Sequence, residues 1–412
     1  MAKKTLGEVA EYINGRAFKP DEWEDDGLPI IRIQNLTGST DVCNRTTKTY
    51  EEKYLVIDGD LLFAWSASLG AHIWHGENGW LNQHIFKVVP HDGTDKQYLY
   101  YYLLHVVDQL YAKTHGSGMV HITIKPFKNT EIYLPSLPEQ HRIANRIESL
   151  FAKLDEAKEK AQAVVDGFEL RKSAILHKAF TGELTERWRK EHGVSVDNWQ
   201  YRKLSNVATV ISGYAFSSDN FDECNNIPCI KITNVGVGNY ISENYEYLPT
   251  KFLDTYNRFK VNSGNILISL TRSYIAAGLK VCICDEPRDS LLNQRVALIK
   301  NCNIRYIYYY LRSSAVLYYV KEKSKTTNQP NLSIKDLNNL LVPIPVESEQ
   351  NEIVSVLNNL LDKEEYVKST AEAVLSQIDT MKKAILARAF RGELGTNDPA
   401  EESAEKLIKA VL

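Results

Sequence analysis

Apolar residues fall along this 412-residue chain in three rhythms. In "PIIRI", "LLFAW" and "IFKVV" they form short blocks bounded by Gly, Pro, Asp or Asn, which predicts buried strands separated by turns. In "YLYYYLL" and "YIYYYLR" they take helical spacing, which predicts helices laid on a sheet with their tyrosines packed into it. After "LPSLPEQ" and "IPVESEQ" they settle into a heptad: Ile143, Ile147, Leu150, Leu154, Ala157, Ala161, Val164, Phe168 and Ile175 alternate four and three residues apart. Ile353, Leu357, Leu360, Val367, Ala371, Val374, Ile378, Met381 and Ile385 repeat that frame. Each stretch predicts a helix of about 40 residues, roughly 60 Å long. Gly182 and Gly392 follow as stop signals.

The chain writes one plan twice. "LGEVAEYINGRAF" from Leu6 recurs as "LSNVATVISGYAF" from Leu204, "LNQHI" at Leu81 as "LNQRV" at Leu292, and "AILHKAFTGEL" as "AILARAFRGEL". From Ile124, matching Ile334, the offset locks at 210 residues and holds to Leu184 and Leu394. Loop length varies in the first part of each copy and not at all in the helices that follow.

Each heptad seam is broken once, at Arg171 and at Glu364. An antiparallel pairing that sets Arg171 against Glu364 also sets Leu154 against Met381 and makes every other layer apolar, so a lone charged pair would fix the register. Such a pair of helices would hold the two globular halves at opposite ends about an approximate twofold. That geometry suits duplex DNA, whose half-sites lie about one helical turn, roughly 34 Å, apart.

Composition narrows the class. Hydrophobic residues make up 43% and charged residues 25%, and no apolar run is long enough to span a bilayer. Glu8 and Glu11 interrupt the stretch where a secretory signal would need to be apolar, which predicts a cytoplasmic protein. Net charge is only −3, yet residues 251–325 hold thirteen Lys or Arg against five Asp or Glu. The six cysteines read as reduced core residues, and all ten histidines precede residue 193, which leaves no zinc spacing in the second half.

Taken in order, "LNQ" before a strand in each half, "ISLTRSYIAAGLK", "TTNQPNLSIKDL", the "LP..EQ..I" run into each long helix and the paired "AIL..AF.GEL" endings resemble the specificity subunit of a Type I restriction-modification system. The resemblance covers nearly the whole chain. It implies an α/β (α+β) fold with two similar target-recognition domains, residues 1–137 and 201–346, a central long helix and linker at 138–200, and a C-terminal long helix and tail at 347–412. It further implies a DNA-reading scaffold without catalysis of its own. Its partners would be double-stranded DNA, modification subunits, two of them, that bring S-adenosylmethionine, and restriction subunits that bring ATP and Mg²⁺. No cofactor is expected on this chain, which carries neither a P-loop nor an N-P-P-Y or D-P-P-Y motif.

The repeat sorts candidate DNA contacts. Residues common to both halves, Asn82 and Gln83 with Asn293 and Gln294, could pair bidentately with adenine, yet their duplication argues that they hold the shared frame; residues that differ at matched places should carry the difference in target. In the first half these are Trp65, Ser66, Ser68, His72, Trp74 and His75, set opposite Thr271, Arg272, Ser273, Tyr274 and Lys280. Ala67 takes the place of Arg272, and His84 takes the place of Arg295. Later in each half, Lys113, His115 and His121 correspond broadly to Lys321, Lys323, Lys325, Asn328 and Gln329. Arginine suits a guanine edge or a phosphate, and the lysines suit phosphates. No metal-binding residues are expected.

Two other classes remain in view. Pro20 and Asp21, followed by Glu51 and Lys53, imitate the PD…ExK pattern of a nuclease, without a counterpart in the second copy. A protein-binding coiled-coil scaffold is the other, and the C-terminal "PAEESAEKLIKAVL" could serve it as a docking helix.

Overall fold

Short apolar blocks become strands and the heptads become helices in the computed structural model, which describes residues 2–112, 122–324 and 330–396. The chain divides into two compact units, Met1–Gln162 with Glu372–Leu412, and Ala163–Ala371. No described helix is long and apolar enough to cross a membrane.

In the first unit a four-stranded antiparallel sheet runs in the order Ala10–Asn14, Ile85–Pro90, Leu61–Ala64, Gly70–Ile73. A second sheet runs Arg45–Thr46, Leu28–Ile31, Gly79–Leu81, Leu55–Val56, its middle pair parallel. The second unit repeats both orders: Thr209–Ser212, Val296–Lys300, Ile266–Ser269, Val281–Ile283, and then Glu246–Leu248, Ile227–Ile230, Ser290–Leu292, Lys260–Val261, again with a parallel middle pair. Strands such as Leu61–Ala64 and Ile266–Ser269 are buried at every position, which is why their sequences run apolar without alternation.

The tyrosine-rich helices Lys96–Ala112 and Ile304–Leu311 serve packing. Tyr98 and Tyr102 donate their hydroxyls to the Tyr133 and Glu131 carbonyls at 2.6 and 2.5 Å. Tyr306 and Tyr310 donate to the Pro343 and Leu341 carbonyls, both at 2.6 Å. A buried phenol needs such a partner, and here both copies find it on the same strand.

The end of one long helix closes each unit. Phe390 packs edge-on against Tyr98 and Tyr102 at 5.4 and 4.9 Å, beside Leu386 and Ala389 in the first core. Phe180 packs in the same way on Tyr306 and Tyr310 at 5.5 and 5.1 Å, beside Leu176 and Ala179 in the second core. The glycine stops follow in the left-handed conformation, Gly182 at φ 86° and Gly392 at φ 73°. Just beyond each stop a threonine is bound by a buried glutamate from the "EQ" pair. Glu349, 1% exposed, accepts from Thr185 Oγ1 at 2.8 Å, Arg189 Nη1 at 2.7 Å and Trp199 Nε1 at 2.9 Å. Glu139, 5% exposed, accepts from Thr396 Oγ1 at 2.6 Å and Arg142 Nε at 3.0 Å. Burial is affordable for these carboxylates because charged or polar donors surround them.

The long helices pair antiparallel within each unit. In the first, Lys382 reaches Asp155 at 2.6 Å while Arg142 donates to the Thr396 carbonyl at 2.9 Å. In the second, Arg171 Nε donates to Glu364 Oε2 at 2.7 Å. Two expectations need correction. The first helix is not continuous: it divides at Gly167 into Leu137–Asp166 and Phe168–Phe180, whereas Glu347–Phe390 runs unbroken for 44 residues. Arg171, one turn past that break, donates Nη2 back across it to the Val164 carbonyl at 3.0 Å; a Cβ on Gly167 would lie 2.6 Å from its Nη1. The second correction concerns the apolar row through Met381. Met381 is 41% exposed and Val367 46%, so Leu154 against Met381 is not a closed layer. Their neighbours Lys382 and Lys368 lie further in, with ammonium groups 5.1 Å from the Phe151 ring centre and 4.8 Å from that of Phe168. Each ammonium lies over a ring face, whose electrons attract the cation.

Candidate nucleic-acid interface

The loops holding the candidate residues rest on a backbone frame that is the same in both units, bond for bond. Arg16 N–H donates to the Leu81 carbonyl at 2.9 Å, and Tyr214 N–H to that of Leu292 at 3.0 Å. Gln83 and Gln294 return N–H bonds to the Arg16 and Tyr214 carbonyls, each at 2.8 Å. Trp65 N–H reaches the His84 carbonyl at 3.0 Å, as Leu270 N–H reaches that of Arg295 at 2.8 Å. The crossing is so close that only glycine fits. A Cβ on Gly15 would stand 2.0 Å from the Asn82 carbonyl oxygen, and one on Gly213 1.9 Å from that of Asn293.

Four non-glycine residues on this frame take left-handed backbone: Ala67 at φ 59° and His84 at φ 75° in the first unit, Arg272 at 48° and Arg295 at 71° in the second. They are two matched pairs. Such conformations are costly for residues with a Cβ and concentrate where a site fixes them. Arg272 and Arg295 are both exposed, and neither forms an ion pair with a described residue. Leu270, bonded to Arg295, is two residues from Arg272, so both guanidiniums belong to one corner of the fold. Thr271 pairs with Asn331, and Ser273 N–H bonds the Pro330 carbonyl at 3.1 Å.

Around this corner the structure gathers some candidates and withdraws others. Lys321 places its ammonium 5.7 Å from the Tyr274 ring centre, and Lys323 stands 5.7 Å from that of Tyr319. Lys280 is half-buried and donates to the Ile232 carbonyl at 2.7 Å; burial, and after it the Arg272 charge, push it below the usual lysine range. Ser273 is fully buried and bonded inward, so its hydroxyl is not presented to a duplex. In the first unit Ser66 is likewise buried, while Ser68 and His75 are exposed. Trp65 donates Nε1 to Asn14 at 2.9 Å and stacks on Phe86, and Trp74 donates Nε1 to the Glu77 carbonyl at 3.0 Å. Both indoles therefore brace loops. Burial holds His72 below the usual histidine range, so it is neutral at pH 7 and offers a hydrogen bond rather than a charge. His84 sits against Trp65 with ring centres 4.9 Å apart, and its Nδ1 is buried without a partner among the described residues. Lys113, His115, His121, Lys325, Asn328 and Gln329 lie outside the described residues.

Other chemistry finds little support. The nuclease-like set places Asp21 on a one-turn helix, while Glu51 is engaged by Lys53 at 2.6 Å. Among the described residues no three His, Cys, Asp or Glu side chains gather as a metal-binding group.

The sequence profile of the Type I restriction modification DNA specificity domain matches residues 1–165 and 196–376, one copy for each half. The chain belongs to the Type I restriction-modification DNA specificity family. Its role is that of the DNA specificity subunit of such a system. Relatives in the family include the specificity subunit of Type I restriction enzyme EcoBI from Escherichia coli, 28% identical over 96% of this chain and 87% of that one. The MjaVIII specificity subunit of Methanocaldococcus jannaschii is also 28% identical, over 94% and 92%. The crystal structure of the HsdS subunit from Thermoanaerobacter tengcongensis shares the fold at a TM-score of 0.65 and 19% identity, covering 95% of this chain and 97% of that one.

Inspection of sequence alone missed two things in this specificity subunit: the left-handed backbone at the matched pairs, and the outward face of the shared glutamines. The first left little trace, because neither alanine nor arginine favours positive φ, and of the four only His84 is of a type enriched there. The second was obscured by reading "LNQ" as one unit. Asn293 is buried and donates to Cys229 Sγ at 3.5 Å, whereas Gln83 and Gln294 are exposed.

Proposed function

We propose that each unit of this specificity subunit reads one half of a bipartite, asymmetric DNA target, and that the long helices set the spacer. The observation that carries this is the pair of equal frames bearing unequal residues: Arg272 against Ala67, and Arg295 against the half-buried His84, all in the same left-handed conformation. Equal frames approach DNA alike, and unequal side chains select different bases. The chain itself acts as a non-catalytic scaffold. Modification subunits bind S-adenosylmethionine, and restriction subunits use ATP and Mg²⁺. Leu170, 75% exposed, and Tyr366, 71% exposed, support docking of partner subunits on the helical region.

The test is selection from a random duplex pool with the chain co-assembled with its modification subunits. Two unlike blocks separated by a fixed gap are expected; a single contiguous or palindromic block overturns the reading. Arg272→Ala should then relax preference at one base pair of one block by about 1 to 3 kcal/mol. Lys323→Ala should weaken all duplexes alike and reduce the salt slope by about 1.

A further inference from the structure

Gln83 and Gln294 occupy one place in two frames. Each follows the asparagine whose carbonyl oxygen abuts Gly15 or Gly213, each is clamped by its own N–H to Arg16 or Tyr214 at 2.8 Å, and each precedes the left-handed His84 or Arg295. The frame uses only their backbone. Both side chains are exposed, and neither carboxamide makes a hydrogen bond to a described residue. Gln294 lines an open cavity of about 360 Å³ together with Arg295, Phe216, Phe221 and the Lys231–Glu246 ion pair, so there is room beside its amide.

We propose that Gln83 and Gln294 make the base contact that the two half-sites share, a two-point hydrogen bond to the major-groove edge of an adenine. This rests on the proposed reading of one half-site per unit. A carboxamide presents one acceptor and one donor side by side, which matches the N6 amino donor and N7 acceptor of adenine. A phosphate offers acceptors only, so half of the amide would go unused there. Identity at this position, beside a following residue that differs, means that the two target blocks carry the same base at the same place relative to the unit that reads it. His84 and Arg295, one residue further on, then read the neighbouring and unlike base.

The experiment compares wild-type chain, Gln83→Ala and Gln294→Ala, each co-assembled with modification subunits, on duplexes carrying the selected target. Each A·T pair is replaced in turn by G·C, and each adenine by 7-deazaadenine, which removes the N7 acceptor. Wild type should lose roughly five- to 150-fold in affinity at one adenine of each block. Gln83→Ala should abolish that discrimination in one block only, Gln294→Ala in the other only, and neither variant should respond to 7-deazaadenine there. Uniform weakening on every duplex with a smaller salt slope would assign the amides to phosphates and overturn the proposal. So would lowered thermal stability with unchanged base preference, which would return them to the frame. If the wild-type assembly prefers no duplex at all, the half-site reading fails and this inference falls with it; if wild type discriminates and both variants discriminate equally well, only this inference fails.

Discussion

Left-handed backbone destabilises a residue with a Cβ by about 1 to 2 kcal/mol, and Arg295 holds it at φ 71° on an exposed corner where glycine would be free of that strain. Glycine would also loosen the unfolded chain by about 0.4 to 1 kcal/mol, so the two effects nearly offset. Arg295→Gly should therefore leave the thermal midpoint close to wild type while lowering affinity for the selected duplex. Gly213→Ala should do the reverse. Its Cβ would meet the Asn293 carbonyl oxygen at 1.9 Å, and neither backbone can give way without breaking the crossing. A loss of about 1 to 3 kcal/mol or more is expected in a denaturation series. Together these two variants separate the residue proposed to touch DNA from the residue that holds the frame.

At the scale of elements, the seam pairing rests on Arg171 and Glu364, whose side chains are 36% and 23% exposed. Partial exposure limits the pair to about 1 kcal/mol. Arg171→Glu and Glu364→Arg should each lose that amount, and the double reversal should recover most of it; a double variant no better than the singles would show that the pair does not set the register. Much of this level was legible in the chain. The fixed 210-residue offset exposed the duplicated frame, and two lone charges in otherwise apolar seams pointed at each other. The interruption at Gly167 was not legible, because it depends on the Arg171 guanidinium reaching back to the Val164 carbonyl, a contact seven residues away that no periodicity encodes. Nor was the inward turn of Lys368 and Lys382. Hydropathy counts lysine as polar and solvent-facing, while here its ammonium lies over a phenylalanine ring. At the corner that holds Arg272 and Arg295, and at its counterpart in the first unit, the repeat identified which positions differ, but burial of Ser66 and Ser273 depends on loop conformation that residue type does not reveal.

At the scale of the whole molecule, the two units differ in how the chain completes them. The first draws Leu386, Ala389 and Phe390 into its core and binds Thr396 at Glu139, whereas the second is contained in one uninterrupted stretch, Ala163–Ala371. A chain stopped after residue 384 should lose amide hydrogen-exchange protection in the helix Lys96–Ala112 and the strand Glu131–Leu134, with the strands Ile266–Ser269 and Val296–Lys300 still protected. Equal loss in both units would show that they fold as one. This arrangement reverses the order of birth and maturity on the ribosome. The unit whose residues emerge first must wait, with Tyr98 and Tyr102 uncovered, until Phe390 has been synthesised, on the order of ten to fifty seconds after residue 162 at ordinary elongation rates, while the later-born unit is already complete.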